Sequence, residues 1–422
     1  MAAQGQEVPA AAPSTRGLVS LLSLVTGVQA LATFSVLTLP TLATLAAPHF
    51  GVGAEAIGYQ ISVVYAAAAM LSSVAGLHVR RHGAAAMSIL AMALSSAGLV
   101  GIATGNVAIA IVASASIGAA YGLTNPAASH LLFRFAPRHR QNLVFALKQT
   151  GVPLGGMLAA LLLPPLASRY GWQAATALSA ALMALVAVPL AASRGRLDDD
   201  RDPAARLGPG GVLSGMRLVL ETPILRALAL MGFAYASSQF CLFTFLITML
   251  VKDLGWGLVA AGAAASVMQV GGVIGRIAWS LLADWIGRGV GVLIAIGLGS
   301  AGFAIVLAGA TPEWPAWLMG VIVLGFGFCL VGWNGLWLAE VARAAGPGEV
   351  SLATGGVLAF TFGGIVLGPA TFATIYRGLG SYALTYGVFS IYTVAGAVIL
   401  ALAARRQSGG GAVVGKRPEG SG

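Results

Sequence analysis

Long apolar runs, each closed by glycine, proline or a cluster of charges, recur along the whole chain. They fall near 19–46, 56–79, 84–103, 107–133, 142–166 and 173–192, and again near 222–250, 258–283, 289–310, 316–341, 351–375 and 383–404. A helix crossing the hydrocarbon of a bilayer needs about 20 apolar residues, so each run predicts one membrane-spanning helix. Between the sixth and seventh runs lies a polar stretch with Asp198, Asp199, Asp200 and Asp202 among arginines, which divides the pattern six plus six. The expected fold is all-α and integral to the membrane, with about twelve transmembrane helices in two pseudo-symmetric six-helix bundles. The expected boundaries are a tail at 1–18, a first bundle at 19–192, a central loop at 193–221, a second bundle at 222–404 and a tail at 405–422.

Composition removes the soluble alternatives. Of 422 residues 58% are hydrophobic and 9% charged, with a mean hydropathy of +0.89, whereas soluble domains carry roughly 25% charged residues. The longest polar stretch away from the termini, Ser193 to Leu213, is too short for a water-exposed catalytic domain, so the chain reads as a non-enzyme. A net charge of +10 would suggest nucleic acid in a soluble protein. With the N-terminus in the cytoplasm, however, eighteen arginines and lysines fall on that side and only Arg169, Lys252 and Arg377 on the other. That is the positive-inside asymmetry, so the expected partner is the lipid bilayer and not nucleic acid. Both termini are then cytoplasmic, in the inner membrane of a bacterium. The stretch Met1 to Arg16 lacks the apolar core and cleavage site of a signal peptide, so the first run is expected to stay as a helix. Cys241 and Cys329 lie in apolar runs without metal-ligand spacing and read as small hydrophobes. No metal and no cofactor is expected, and nothing resembles a nucleotide-binding loop.

The two sets of runs repeat each other. Gly51, Ser62, Gly76 and Gly83 map at an offset of 204 onto Gly255, Ser266, Ser280 and Gly287, and Asn125, Arg134 and Gly155 map at 209 onto Asn334, Arg343 and Gly364. Duplicated halves are a common origin of transporter folds.

The loop after the second run reads Gly76-Leu77-His78-Val79-Arg80-Arg81-His82-Gly83, and that after the eighth reads Ser280-Leu281-Leu282-Ala283-Asp284-Trp285-Ile286-Gly287-Arg288. Both resemble the G-x-x-x-D-R-x-G-R signature of the major facilitator superfamily, although Arg80 stands where that family has an acid and Trp285 where it has an arginine. The resemblance implies a monomeric secondary transporter that rocks two halves about a midplane site, with Arg81, Gly83, Asp284, Gly287 and Arg288 in the gating loops. In that family the acid caps a helix and holds a charge network closed on one side, so Asp284 is expected to do this alone. Arg276, eight residues before Asp284, is similar to the membrane arginine of monocarboxylate and oxalate/formate transporters, which binds a substrate carboxylate. The stretch Gly151-Val152-Pro153-Leu154-Gly155-Gly156 loosely resembles the G-P-x-x-G-G signature of drug/proton antiporters, with the proline displaced by one residue.

An ionisable side chain within a span is a functional candidate by default. Lys148 lies seven residues past Gln141, about 10 Å deep, and Arg276 about 12 Å from its loop at 1.5 Å per residue. Neither is demanded by the repeat, since their mates are Val357 and Ser72. Glu55, Asp253, Glu313 and Glu349 lie at loop edges, so a bound anion is the natural missing charge. The alternatives are that Arg276 satisfies backbone carbonyls or Asp284 as a fold element, and that Lys148 snorkels to the surface. In the resembled fold the first, fourth, seventh and tenth helices line the cavity, which makes Gln29, Tyr121, Asn125, Tyr235, Gln239, Trp333 and Asn334 further substrate-contact candidates; each could equally be a helix–helix contact. The pairs Gly118/Gly122, Gly151/Gly155 and Gly364/Gly368 read as close-approach positions. Proton-coupling candidates are Glu340 and His130, with an ion pair to Arg343 the competing role for Glu340. The expected function is transport of a small organic anion, a mono- or dicarboxylate, by proton symport or anion exchange. The rivals are proton-driven efflux of amphipathic drugs and a non-transporting membrane sensor.

Overall fold

The structure, a computed structural model, describes residues 15–137, 141–203, 211–346 and 348–410. Most of both expected tails, with Lys416 and Arg417, and the loop positions Arg138, Arg140 and Arg206 lie outside the described residues.

Among the described residues twelve helices are long and apolar enough to span a membrane. They are α1 (Arg16–Thr41), α2 (Ala54–His82), α3 (Ala84–Ala103), α4 (Val107–Phe135), α5 (Leu147–Tyr170), α6 (Trp172–Leu197), α7 (Pro223–Lys252), α8 (Leu258–Ile286), α9 (Gly289–Ala308), α10 (Ala316–Ala344), α11 (Leu352–Leu379) and α12 (Tyr382–Arg406). Two spans differ from the unbroken helices the pattern predicts. A short helix, Gln141–Gln149, gives way at Thr150 to the rest of α5, and α10 is interrupted at Val331–Trp333. The polar stretch between the halves also holds a connecting helix, Gly211–Glu221, which packs against α11.

Within the first half α1 packs on α5, α2 on α4, and α3 on both α4 and α6; within the second, α7 packs on α11, α8 on α10, and α9 on both α10 and α12. The repeat is visible at the level of single contacts. A Cβ on Gly118 would stand 2.0 Å from the Val64 carbonyl oxygen, and one on Gly327 would stand 2.1 Å from that of Met268. These are the same α2–α4 and α8–α10 contacts at offsets of 204 and 209. Gly122, Gly151, Gly155, Gly364 and Gly368 are likewise pressed against neighbouring helices. Small residues let helix backbones approach closely where lipid supplies no hydrophobic drive for association.

The halves meet along two seams, α2 with α11 and α5 with α8, and these are also mates. A Cβ on Gly58 would lie 2.3 Å from the Pro369 carbonyl oxygen and one on Gly262 would lie 2.2 Å from that of Ala160. Ser62 Oγ donates to the Val366 carbonyl, and Ser266 Oγ donates to that of Met157. On the face away from the basic loops, Arg377 pairs with Glu55 at 3.5 Å and lies over the Tyr59 ring, whose hydroxyl meets Thr374 Oγ1 at 3.0 Å.

On the basic face the acidic stretch is a staple for the first half. Asp198 is 5% exposed, and its carboxylate accepts from the backbone N–H groups of Ala85 (2.7 Å) and Ala86 (2.9 Å) at the start of α3. The first loop lacks the acid that the motif would place there, and Asp198 does the capping instead. The expectation that Asp284 alone would serve as the capping acid is corrected here. Asp199 and Asp200 hold Arg134 at 2.5 and 3.0 Å, and Asp200 also holds His130 at 2.8 Å. An anion at a helix N-terminus meets unsatisfied N–H groups and the positive end of the helix dipole. Asp198→Ala leaves two such N–H groups without their partner, at about 1–3 kcal/mol. We expect a lowered thermal midpoint in detergent, with Asp198→Asn recovering part of the loss.

Candidate functional site

The candidate residues come together in the interior between the halves, on the basic side of the bilayer's middle. Lys148, on the last turn before the Thr150 interruption, is 2% exposed, and its ammonium donates to Asn125 Oδ1 of α4 and to Gln149 Oε1 at 3.3 Å. It therefore does not snorkel. Asn125 precedes Pro126 within α4, so it sits where that helix loses a backbone donor.

Arg276 reaches across the seam. Its Nε donates to the carbonyl of Val331 at 3.4 Å and its Nη1 to that of Gln149 at 3.3 Å. Of the alternatives left open for Arg276, bonding to backbone carbonyls is what the geometry displays, while Asp284 is exposed at the end of α8. Among the described residues neither Lys148 nor Arg276 has an acidic partner.

Around these cations stand polar and aromatic groups from both halves. Gln29 is wholly buried; its Oε1 lies 3.4 Å from Thr124 Oγ1 and its Nε2 has no partner. Tyr121 stacks edge-on to Tyr65 at 5.5 Å, and Tyr65 stacks on Phe240 of α7 at 4.6 Å. Tyr65 was not singled out in the sequence, where a tyrosine inside an apolar run gives no sign of which way it faces. In the second half Gln239 Oε1 accepts from Trp333 Nε1 (2.9 Å) and Asn334 Nδ2 (3.2 Å), which fixes the interruption of α10 against α7. Asn334 Nδ2 also lies 3.4 Å from the Val331 carbonyl. Tyr235 stands apart: its hydroxyl donates to the Leu293 carbonyl of α9 at 2.9 Å and its ring packs on Trp333, inside the second half.

The gating-loop candidates lie on the basic face. Arg81, Asp284, Gly287 and Arg288 are exposed, whereas Gly83 is buried with φ +98 beneath Asp198. Glu340 pairs with Arg343 at 2.7 Å and packs on Gly289 at the start of α9, as Asp198 does at the start of α3. His130 is tied to Asp200. A cavity of about 280 Å³ between the start of α2 and α4 is lined by Phe50, Val63 and Ile111, apart from all of these groups.

The architecture is matched by family comparison: the model described as Major Facilitator Superfamily covers residues 22–369. The chain belongs to the major facilitator superfamily. An uncharacterized MFS-type transporter of Mycobacterium tuberculosis (strain CDC 1551 / Oshkosh) is 27% identical over 233 residues, 54% of this chain and 50% of that protein. Monocarboxylate transporter 13 of Bos taurus is 27% identical over 286 residues, 67% of this chain and 64% of its own length. The chain thus spans about half the length of the mycobacterial relative and just under two thirds of the bovine one. Among solved structures, a peptide transporter POT in complex with sulfate superposes with a TM-score of 0.75 at 16% identity, covering 96% of this chain and 99% of that one. A D-xylose-proton symporter superposes at 0.72 and 13% identity, covering 92% and 97%. At such identities the likeness is one of fold. This superfamily member is a multi-pass membrane protein with a transporter architecture.

Proposed function

We propose that the protein is a secondary active transporter of a small organic anion, a carboxylate, working by alternating access as a monomer in a bacterial inner membrane with both termini in the cytoplasm. The observation that carries this reading is the pair of interior cations, Lys148 and Arg276, each met by neutral acceptors alone among the described residues. Charge in a low-dielectric interior calls for a counter-charge, and a guanidinium fork matches the two oxygens of a carboxylate. The partial likeness to a monocarboxylate transporter points the same way. With the basic face in the cytoplasm, the joined seam around Glu55 and Arg377 is the external one. His130 is hydrogen-bonded to Asp200 and Glu340 is paired with Arg343 near the basic face, which favours anion exchange or a proton carried with the substrate over a dedicated proton relay.

The test is a thermal-shift screen of purified protein against carboxylates, sulfonates, sugars and cationic drugs, followed by flux assays in liposomes with any ligand found. A carboxylate at 100 times its Kd contributes about 2.7 kcal/mol of stabilisation. The expected result is a raised midpoint that disappears in Arg276→Gln and Lys148→Gln. Stabilisation by cationic or neutral drugs, undiminished in both variants, overturns the anion reading in favour of efflux.

A further inference from the structure

We infer that Arg276 is a strut that ties the two halves together in the empty protein and is released when an anion takes its guanidinium, so that occupancy of the site and movement of the halves are one event. The identity of the displacing ligand rests on the anion reading above; the strut itself does not.

The inference starts from the two interruptions. A helix break leaves backbone carbonyls without their i+4 donors, and here side chains take those donors' place. Thr150 Oγ1 turns back to the Leu147 carbonyl at 2.6 Å, and the Gln149 carbonyl is met by Arg276 Nη1. At the α10 break the Val331 carbonyl is met by Arg276 Nε and Asn334 Nδ2. One guanidinium therefore serves a break in each half. Gln149 belongs to the first half; Val331 and Arg276 belong to the second.

The two ends of the strut are fastened to different halves. A Cβ on Gly332 would meet the Phe328 carbonyl oxygen at 2.5 Å, Gly275 at 2.8 Å and Trp279 at 2.9 Å, so the α10 break is pressed onto α8. Gln239 and Trp333 pin it from the α7 side. The Gln149 end lies at the edge of a short helix and is fastened to the first half instead, by Lys148 to Asn125 and by Gly151 against α1. At 3.3–3.4 Å both Arg276 bonds are longer than the usual 2.9–3.0 Å, and a carboxylate offers the fork charge-assisted bonds of about twice the strength. The anion therefore takes the donor from Gln149 and unties α5 from α8, leaving the α8–α10 pairing intact. A ligand moves such an equilibrium only through its different affinity for the two states, and exchange of one acceptor for another at Arg276 supplies that difference.

The test uses the full chain with spin labels at His82→Cys and Trp285→Cys, on the exposed basic-face ends of α2 and α8; the native Cys241 and Cys329 are buried. Distances are read by pulsed electron paramagnetic resonance without ligand, in otherwise wild-type protein and with Arg276→Gln or Arg276→Lys. The expected result for Arg276→Gln is a second population displaced by about 5 Å or more, the scale of one helical turn. Arg276→Lys, whose ammonium is a point charge without the fork, moves the same way and covers the case in which the glutamine variant does not fold. Distributions for both variants that superpose on the unsubstituted one overturn the strut. If they shift while no carboxylate shifts the wild-type distances, the strut stands and the anion reading fails.

Discussion

Arg276→Gln is expected to reduce carboxylate flux by roughly 30-fold to several thousand-fold in kcat/KM, with the protein still folded. Removing one member of a buried, hydrogen-bonded charge pair costs about 2–5 kcal/mol, and every 1.4 kcal/mol is a factor of about ten. The variant also removes the bonds that Arg276 makes to the Gln149 and Val331 carbonyls. Arg276→Lys is expected to recover only a fraction of the flux, because the ammonium keeps the charge but not the planar pair of donors. Lys148→Gln is expected to lower flux as well, and the double variant to lose less than the product of the two single losses, since groups acting on one substrate are not additive. Wild-type flux in Arg276→Gln, at matched protein in the liposomes, is the outcome that removes this residue from the transport cycle.

The twelve spans and their six-plus-six division are legible in the sequence because a bilayer demands a length of apolar chain and little else. The repeat is legible too: the offsets read from Ser62, Ser266, Gly155 and Gly364 recur as contacts between the same helices. The interruptions at Thr150 and at Val331–Trp333 cannot be read from the sequence, because the polar residues at them, Lys148, Gln149, Thr150 and Asn334, are also what a continuous cavity-lining helix carries. What marks them is the side chains that serve the freed carbonyls, Arg276 and Asn334, and those partners lie on other helices or beyond the break. Asp198 was hidden for a related reason. Its carboxylate caps a helix more than a hundred residues earlier in the chain, so its role depends on where α6 ends in space. Tyr235 shows the opposite failure: position on a cavity-lining helix does not say which face of that helix a tyrosine occupies, and its hydroxyl is spent on Leu293.

Gly262→Val is expected to leave each half folded and to abolish most transport, because its contact belongs to the seam between halves and to one arrangement of that seam. The Cβ alone would sit 2.2 Å from the Ala160 carbonyl oxygen and 2.8 Å from Pro164 Cγ, so α5 and α8 must separate to admit it. Gly58, pressed on the Pro369 carbonyl at the α2–α11 seam, is its mate and is expected to behave alike. Overpacking of this kind costs about 1–3 kcal/mol. Charged only to the joined state of the face that carries Glu55 and Arg377, it shifts the opening equilibrium roughly 5- to 150-fold. A cysteine reporter on that face is therefore expected to react faster in Gly262→Val than in wild type, while the thermal midpoint stays close to the wild-type value. Gly118→Val is the contrast: its 2.0 Å approach to Val64 lies inside the first half, so the strain falls on every state and is expected to lower the midpoint and the yield. Equal loss of stability in Gly262→Val and Gly118→Val, with no gain in reporter reactivity, removes the distinction between the moving seams and the fixed packing within each half.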